Sequence, residues 1–178
     1  MPALHPIQPP DAPPPRYSSR PLPPYRHVPG LTPHPVADPR GHSHAPSGEH
    51  PTAGPLPPPD RWRDSDAYRF GIDLYNRGFW WEAHEAWEGL WQQSDKSSDQ
   101  GHFLQGLIQI SAAHLKRHVG QEEGVQRLLE RARRHLDRPG LAGAYMGVAV
   151  RDFLQAVDAC FHRGGPFPFL VLDESRPQ

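Results

Sequence analysis

The chain has 178 residues, with 19 basic side chains against 20 acidic ones, 24 prolines and one cysteine. Its near-neutral balance gives no electrostatic reason to expect a nucleic acid or an anionic membrane surface as partner, and one thiol excludes both an intrachain disulfide and a thiolate metal cluster. At this length, one domain of ordinary size with an accessory segment is the expectation.

Proline divides the chain. Of the 24 prolines, 20 fall within residues 1–60. The stretch typified by "PIQPPDAPPPRYSSRPLPP" has no apolar periodicity and few aliphatic side chains, so it has little surface to bury in exchange for its ordering entropy. Residues 1–59 are therefore expected to form a disordered, proline-rich tail with local polyproline II character. The tail histidines, His5, His27, His34, His42, His44 and His50, are too scattered along it to suggest a site. The start "MPALHPIQPP" lacks the basic residues and apolar run of a signal peptide, and no stretch nears the roughly 18 apolar residues of a membrane span. A cytoplasmic protein without membrane association is expected.

Residues 60–178 read as a helical domain. Asp64 or Ser65 can cap a first helix carrying Ala67, Tyr68, Phe70, Ile72 and Leu74, and "NRG" at 76–78 supplies its stop. A second helix is predicted from about Trp80 to Gln92, followed by the polar loop "QSDKSSDQG". The third runs from about Gly101 to His118, with Gly120 as terminator. A fourth, from about Glu122 to Leu136, places Val125, Leu128, Leu129, Ala132 and Leu136 at helical spacing. "DRPGLAGAYMG" reads as a loop, and a last helix from about Val148 to Phe161 ends at "RGG". No segment alternates with period two, so the fold class is all-α: a compact bundle of about five helices.

Residues 101–115, "GHFLQGLIQISAAHL", carry no charge and are apolar around much of the helical circumference, so this helix should be surrounded by others. Gly106, Ala112 and Ala113 would let a neighbour approach closely. They share an arc with His102, Gln105 and Gln109, which brings amide groups to the interior, where they need partners.

The second helix contains "EAHEAWEGLW", residues 82–91. At about 100° per residue, Trp80, Trp81, His84, Trp87, Glu88 and Trp91 fall within about 120° of one another. Glu82, Glu85, Gly89 and Gln93 lie on another side, which reads as the wet face. Glu88 is then the covered carboxylate, and an unpaired one beneath indole rings would cost several kcal/mol. His84 stands one turn earlier, within about 5–6 Å at the Cβ level. Two readings follow. The pair is a structural hydrogen bond completed by Gln105 or Gln109, or it is the chelating edge of a metal site between facing helices. A third ligand would have to come from elsewhere, with His102, Gln109 and His114 as candidates. "HEAWE" falls one residue short of the zinc-protease signature, because Glu88 stands where a second histidine is needed and Glu85 turns about 100° from His84.

The segments "YNRGFWWEAHEAWEGLW", "FLQGLIQISAAHLKRHVG" and "GVQRLLERARRHL", in this order and spacing, resemble the DUF309 family over about residues 64–162. The resemblance implies an all-helical fold of no established activity. It also implies that His84, Glu88 and Trp91 match a family pattern proposed to bind metal.

Two functions remain open at this stage. One is a metal-dependent activity, hydrolytic in kind, with His84 and Glu88 holding a divalent transition metal and Trp87, Trp91, Gln105, Gln109 and His114 around them. The other is a helical interaction or scaffold module, since residues 67–91 outline one tetratricopeptide-like helix pair, although no 34-residue repetition follows. Arg127, Arg131 and Arg134 share a helix face, but Glu130 and Asp137 interrupt it and no aromatic residues interleave, so it reads as a solvated face and not a nucleic-acid site. No phosphate loop or dinucleotide fingerprint appears, so no nucleotide cofactor is expected. Partners are unknown, and self-association stays open.

Overall fold

Ser65 accepts a hydrogen bond from the Tyr68 N–H at 3.2 Å and so starts helix α1, Asp66–Asn76. Gly78, at φ +79°, ends it in a left-handed turn and sends the chain into α2, Trp80–Trp91. Ser98 caps α3, Asp99–His118, by accepting from the Gly101 N–H at 3.0 Å, and Gly120, at φ +73°, separates it from α4, Glu122–Leu136. Helix α5 is Val150–His162. The computed structural model describes residues 4–46, 53–173 and 175. His50, with the rest of 47–52, and residues 1–3, 174 and 176–178 lie outside the described residues.

Among the described residues the protein is mostly helical, in a compact arrangement, with some non-helical elements between the helices. Two short 3-10 pieces joined at a kink at Arg61 occupy Pro59–Asp64, and a single 3-10 turn occupies Pro139–Leu141. The end of the predicted loop and the first two residues of the predicted last helix form a short hairpin, β1 (Ala144–Tyr145) with β2 (Val148–Ala149), antiparallel, with Ala144 opposite Ala149. Its two turn residues, Met146 (φ +46°) and Gly147 (φ +81°), both take positive φ, which is the backbone of a two-residue hairpin turn. The last helix consequently starts at Val150, two residues later than predicted.

Helix α3 is the axis of the bundle, touching α2 on one side and α4 on the other, and Phe103, Leu104, Leu107 and Ile110 on it are fully buried. Gly106 gives α4 its close approach: a methyl group there would lie 2.4 Å from Leu136 Cγ. Helix α1 is buried almost all round, including its polar side chains Asp73 and Asn76. Those side chains hold non-helical chain against it. Asn76 donates from Nδ2 to the Leu170 carbonyl at 2.7 Å and accepts from the Leu170 N–H at 2.9 Å, so one amide acts as a strand partner for the C-terminal segment. Tyr68 donates to the Met146 carbonyl at 2.9 Å and pins the hairpin.

Where the sequence predicts disorder, residues 4–46 run along α1 and α2. The Asp73 carboxylate accepts from the backbone N–H groups of Tyr17 (2.9 Å) and Ser18 (2.9 Å). Arg69 and Arg77 donate to the carbonyls of Tyr17 and Pro14, each at 2.7 Å, and Ile7 and Val28 are buried. The acceptors and donors that these described residues meet belong to the helical domain, and their prolines reduce the entropy lost in holding them there.

Among the described residues, no helix is long and apolar enough to cross a membrane.

Candidate metal centre

Helix α2 presents His84, Glu85 and Glu88 at its surface, where one ligand atom from each lies within 4.8 Å of the others. His84 Nε2 stands 3.0 Å from Glu88 Oε2, as the one-turn spacing requires, and 3.9 Å from Glu85 Oε1. Donors bound at about 2.0–2.2 Å to one ion sit about 3 Å apart, so the His84–Glu88 edge already has the span of a chelate. Glu85 reaches the group although its Cα lies about 100° around the helix, because a glutamate side chain can swing across that arc. Sequence reasoning had set it on the wet face.

The centre is not roofed by indoles. The side chains of His84 and Glu88 are 30% and 37% exposed, and that of Glu85 47%. Partial burial raises the Glu85 carboxyl above the usual carboxylate range, the His84 charge opposes that rise and the Glu88 charge adds to it.

Glu82 is the covered carboxylate, contrary to the helical-wheel reading. Its side chain is only 5% exposed, and Oε1 accepts from the His27 N–H at 2.9 Å and lies 3.1 Å from His42 Nε2. The wheel treated that face as open to water, whereas the chain's own N-terminal segment lies on it.

Beside the His84–Glu88 edge is a cavity of about 190 Å³ between α2, α3 and α4. Trp91, Gln105 and Gln109, all three anticipated, line it, together with Arg131 from α4. The Oε1 atoms of Gln105 and Gln109 are buried with no hydrogen-bond partner among the described residues. A buried acceptor without a donor costs about 1–3 kcal/mol, so these two amides weigh against the fold as it stands. Arg131 was set aside as part of a solvated face. Its position one turn beyond Arg127 on α4 carries no signal of the cavity, which exists only once α4 is docked on α3.

Other anticipated residues lie elsewhere. Trp87 is fully buried on the α1 side, where its Nε1 points to the Tyr68 carbonyl at 3.4 Å. His102 faces His135 of α4, Nδ1 to Nδ1 at 2.8 Å. His114 sits beneath α1, 3.1 Å from Tyr75 Oη, stacked on Trp80 with ring centroids 5.1 Å apart. Burial, aided by the nearby Arg117 charge, pushes the His114 imidazole down to about 3.

Fold and site together define a small, mostly helical protein with a histidine–carboxylate edge on its second helix. The model of the DUF309 family, a domain of unknown function, matches residues 68–128, bearing out over that span the resemblance seen in the sequence. The matched span holds His84, Glu85, Glu88, Trp91, Gln105 and Gln109, and stops short of Arg131. No curated protein matches the chain.

Proposed function

We propose that the chain binds a divalent transition metal ion through His84 and Glu88, with Glu85 as the third group, and that the ion serves a hydrolytic reaction in the adjoining cavity. The observation that carries this reading is the coincidence of the chelating edge with the unpartnered Gln105 and Gln109 acceptors in one cavity. One imidazole nitrogen and two carboxylate oxygens are a donor set for a borderline divalent metal. Such an ion, when bound, supplies Lewis-acid polarisation of a carbonyl or phosphoryl oxygen. The chain's own residues account for the rest. Gln105 and Gln109 accept hydrogen bonds from the ligand, Trp91 forms an apolar wall, and Arg131 answers an anionic group at the cavity mouth. Glu85, whose carboxyl burial raises above the usual carboxylate range, must give up its proton to join His84 and Glu88 on the ion. The lone Cys160 fits a reducing, cytoplasmic setting.

The test is elemental analysis of the tag-free full chain. A stoichiometric metal, lost in His84→Ala and in Glu88→Gln but kept in the tail variant His44→Gln, supports the centre. The rival reading is a scaffold in which His84 and Glu88 form only a structural pair. The 3.0 Å hydrogen bond favours it, because each group then has a partner without any ion. Metal-free wild-type protein after growth in metal-replete medium would decide for the scaffold.

A further inference from the structure

A second cavity, of about 380 Å³, lies on the opposite flank of α2, between α1, α2 and the N-terminal segment. Phe70, Leu74, Trp81 and Ala86 supply its apolar walls, and Glu82 and Glu85 are the carboxylates on it. Glu82 is the informative one. One of its oxygens is engaged by His27 and His42, while the other, Oε2, is buried with no partner among the described residues. A carboxylate oxygen removed from water and left bare is costly, and what satisfies it is a donor, best a cationic one.

The cavity's remaining charge agrees. Arg20 lies at the rim, and its guanidinium is answered by Asp66 at 2.6 Å, so it does not cancel Glu82. That guanidinium stands 5.6 Å from the Phe70 ring centroid, which shows a cation already resting on the aromatic lining. Arg26 acts on the Glu82 charge from the N-terminal segment, but its Nε donates to the Arg77 carbonyl and Oε2 stays without a donor among the described residues, so an apolar chamber with that open acceptor and aromatic faces matches an ammonium group on an apolar stem.

We propose that this cavity binds a primary alkylammonium group, with Glu82 Oε2 as its anchor and the Phe70 and Trp81 side as the seat of its hydrocarbon stem. The N-terminal segment forms part of the site, since it contributes Val36 and His42 to the lining and holds the other Glu82 oxygen. The chemistry is shared by free aliphatic amines and by lysine side chains.

The experiment is calorimetric titration of the full chain with n-hexylammonium, hexanoate and hexanol, in EDTA so that no metal on α2 takes part. Hexylammonium should bind about tenfold or more tightly than either analogue of equal length, a difference of about 1.4 kcal/mol or more. Glu82→Gln keeps the shape and the acceptor for the His27 N–H but removes the charge, and should weaken hexylammonium binding about tenfold. Should that variant lose its helical circular dichroism, Ala86→Leu, which fills the cavity and keeps the Glu82 charge, should abolish binding instead. Nα-acetyl-lysine methylamide binding as tightly as hexylammonium identifies a lysine side chain as the source, and its failure to bind identifies a free amine. Equal binding of hexylammonium and hexanol, or unchanged binding by folded Glu82→Gln or Ala86→Leu, overturns the proposal.

Discussion

Gly71 lies directly against the indole of Trp87: a methyl group on its α-carbon would come 2.2 Å from Trp87 Nε1. The contact joins α1 to α2 at the deepest point of their interface, and the rigid, fully buried ring has nowhere to retreat. Alanine in a helix interior normally gains about 0.5–1 kcal/mol over glycine. Here overpacking of about 1–3 kcal/mol outweighs that gain, so Gly71→Ala should lower the urea midpoint without changing the slope of the transition. A variant at least as stable as wild type would mean that the two helices separate more easily than this packing implies.

The residues that could and could not be read from sequence differ in how far away their partners are. Ser65, Gly78 and the apolar spacing of α1 and α4 are local signals, and the helices began and ended near the places they marked. The His84–Glu88 contact was legible because one helical turn fixes it. Glu82 was misread because burial on its face comes from His27 and His42, about 40 to 55 positions earlier in a segment whose composition argues against order. The hairpin at 144–149 was missed because its turn is Met146-Gly147 and not one of the Asn-Gly or Asp-Gly pairs that announce such turns. Arg131 and His114 needed helix docking, which no pattern within one helix contains.

The N-terminal segment is tied to α1 chiefly by Asp73. That carboxylate is wholly buried, and besides the Tyr17 and Ser18 N–H groups it faces Arg16 at 3.5 Å and Arg77 at 3.6 Å. Removing it leaves two backbone donors and two guanidinium groups short of an acceptor. Asp73→Ala should cost about 2–4 kcal/mol and free the segment. Limited trypsin digestion reads this directly: cleavage after Arg16 and Arg26, neither of which precedes a proline, should be slow in wild type and fast in the variant. Equal rates would show that Asp73 does not hold the segment down.

Stability should fall with acid through His114. Its folded-state value is depressed, about 3 against 6.5 in the unfolded chain, so the unfolded state binds the proton first. The stabilising contribution is complete above about pH 6.5 and is lost as pH drops toward 3, at a limiting slope of about 1.4 kcal/mol per pH unit. Tyr75 donates its hydroxyl proton to the Pro168 carbonyl at 3.1 Å, which leaves its oxygen to accept from His114 Nε2 in the tautomer that carries the proton there. His114→Phe keeps an aromatic ring among Trp80, Phe161 and Phe167 and leaves Tyr75 with Pro168. Urea unfolding between pH 6.5 and 4.5 should therefore be distinctly less pH-dependent in His114→Phe than in wild type, whatever the variant's absolute stability. An unchanged slope would assign the acid sensitivity to other groups.

Gln109 separates a site kept for binding from one kept for packing. Its buried Oε1 has no partner, so in metal-free protein the amide is a burden that an apolar side chain of similar length would lift. Gln109→Met should raise stability in EDTA by about 0.5–2 kcal/mol, measured as an upward shift of the urea midpoint. If the same amide helps to hold the contents of the cavity, the variant should also retain less metal than wild type after gel filtration. Stabilisation with loss of metal is the signature of a residue retained for function at the expense of the fold. A destabilised Gln109→Met that keeps its full metal content would make Gln109 a packing residue and leave the cavity without its acceptor.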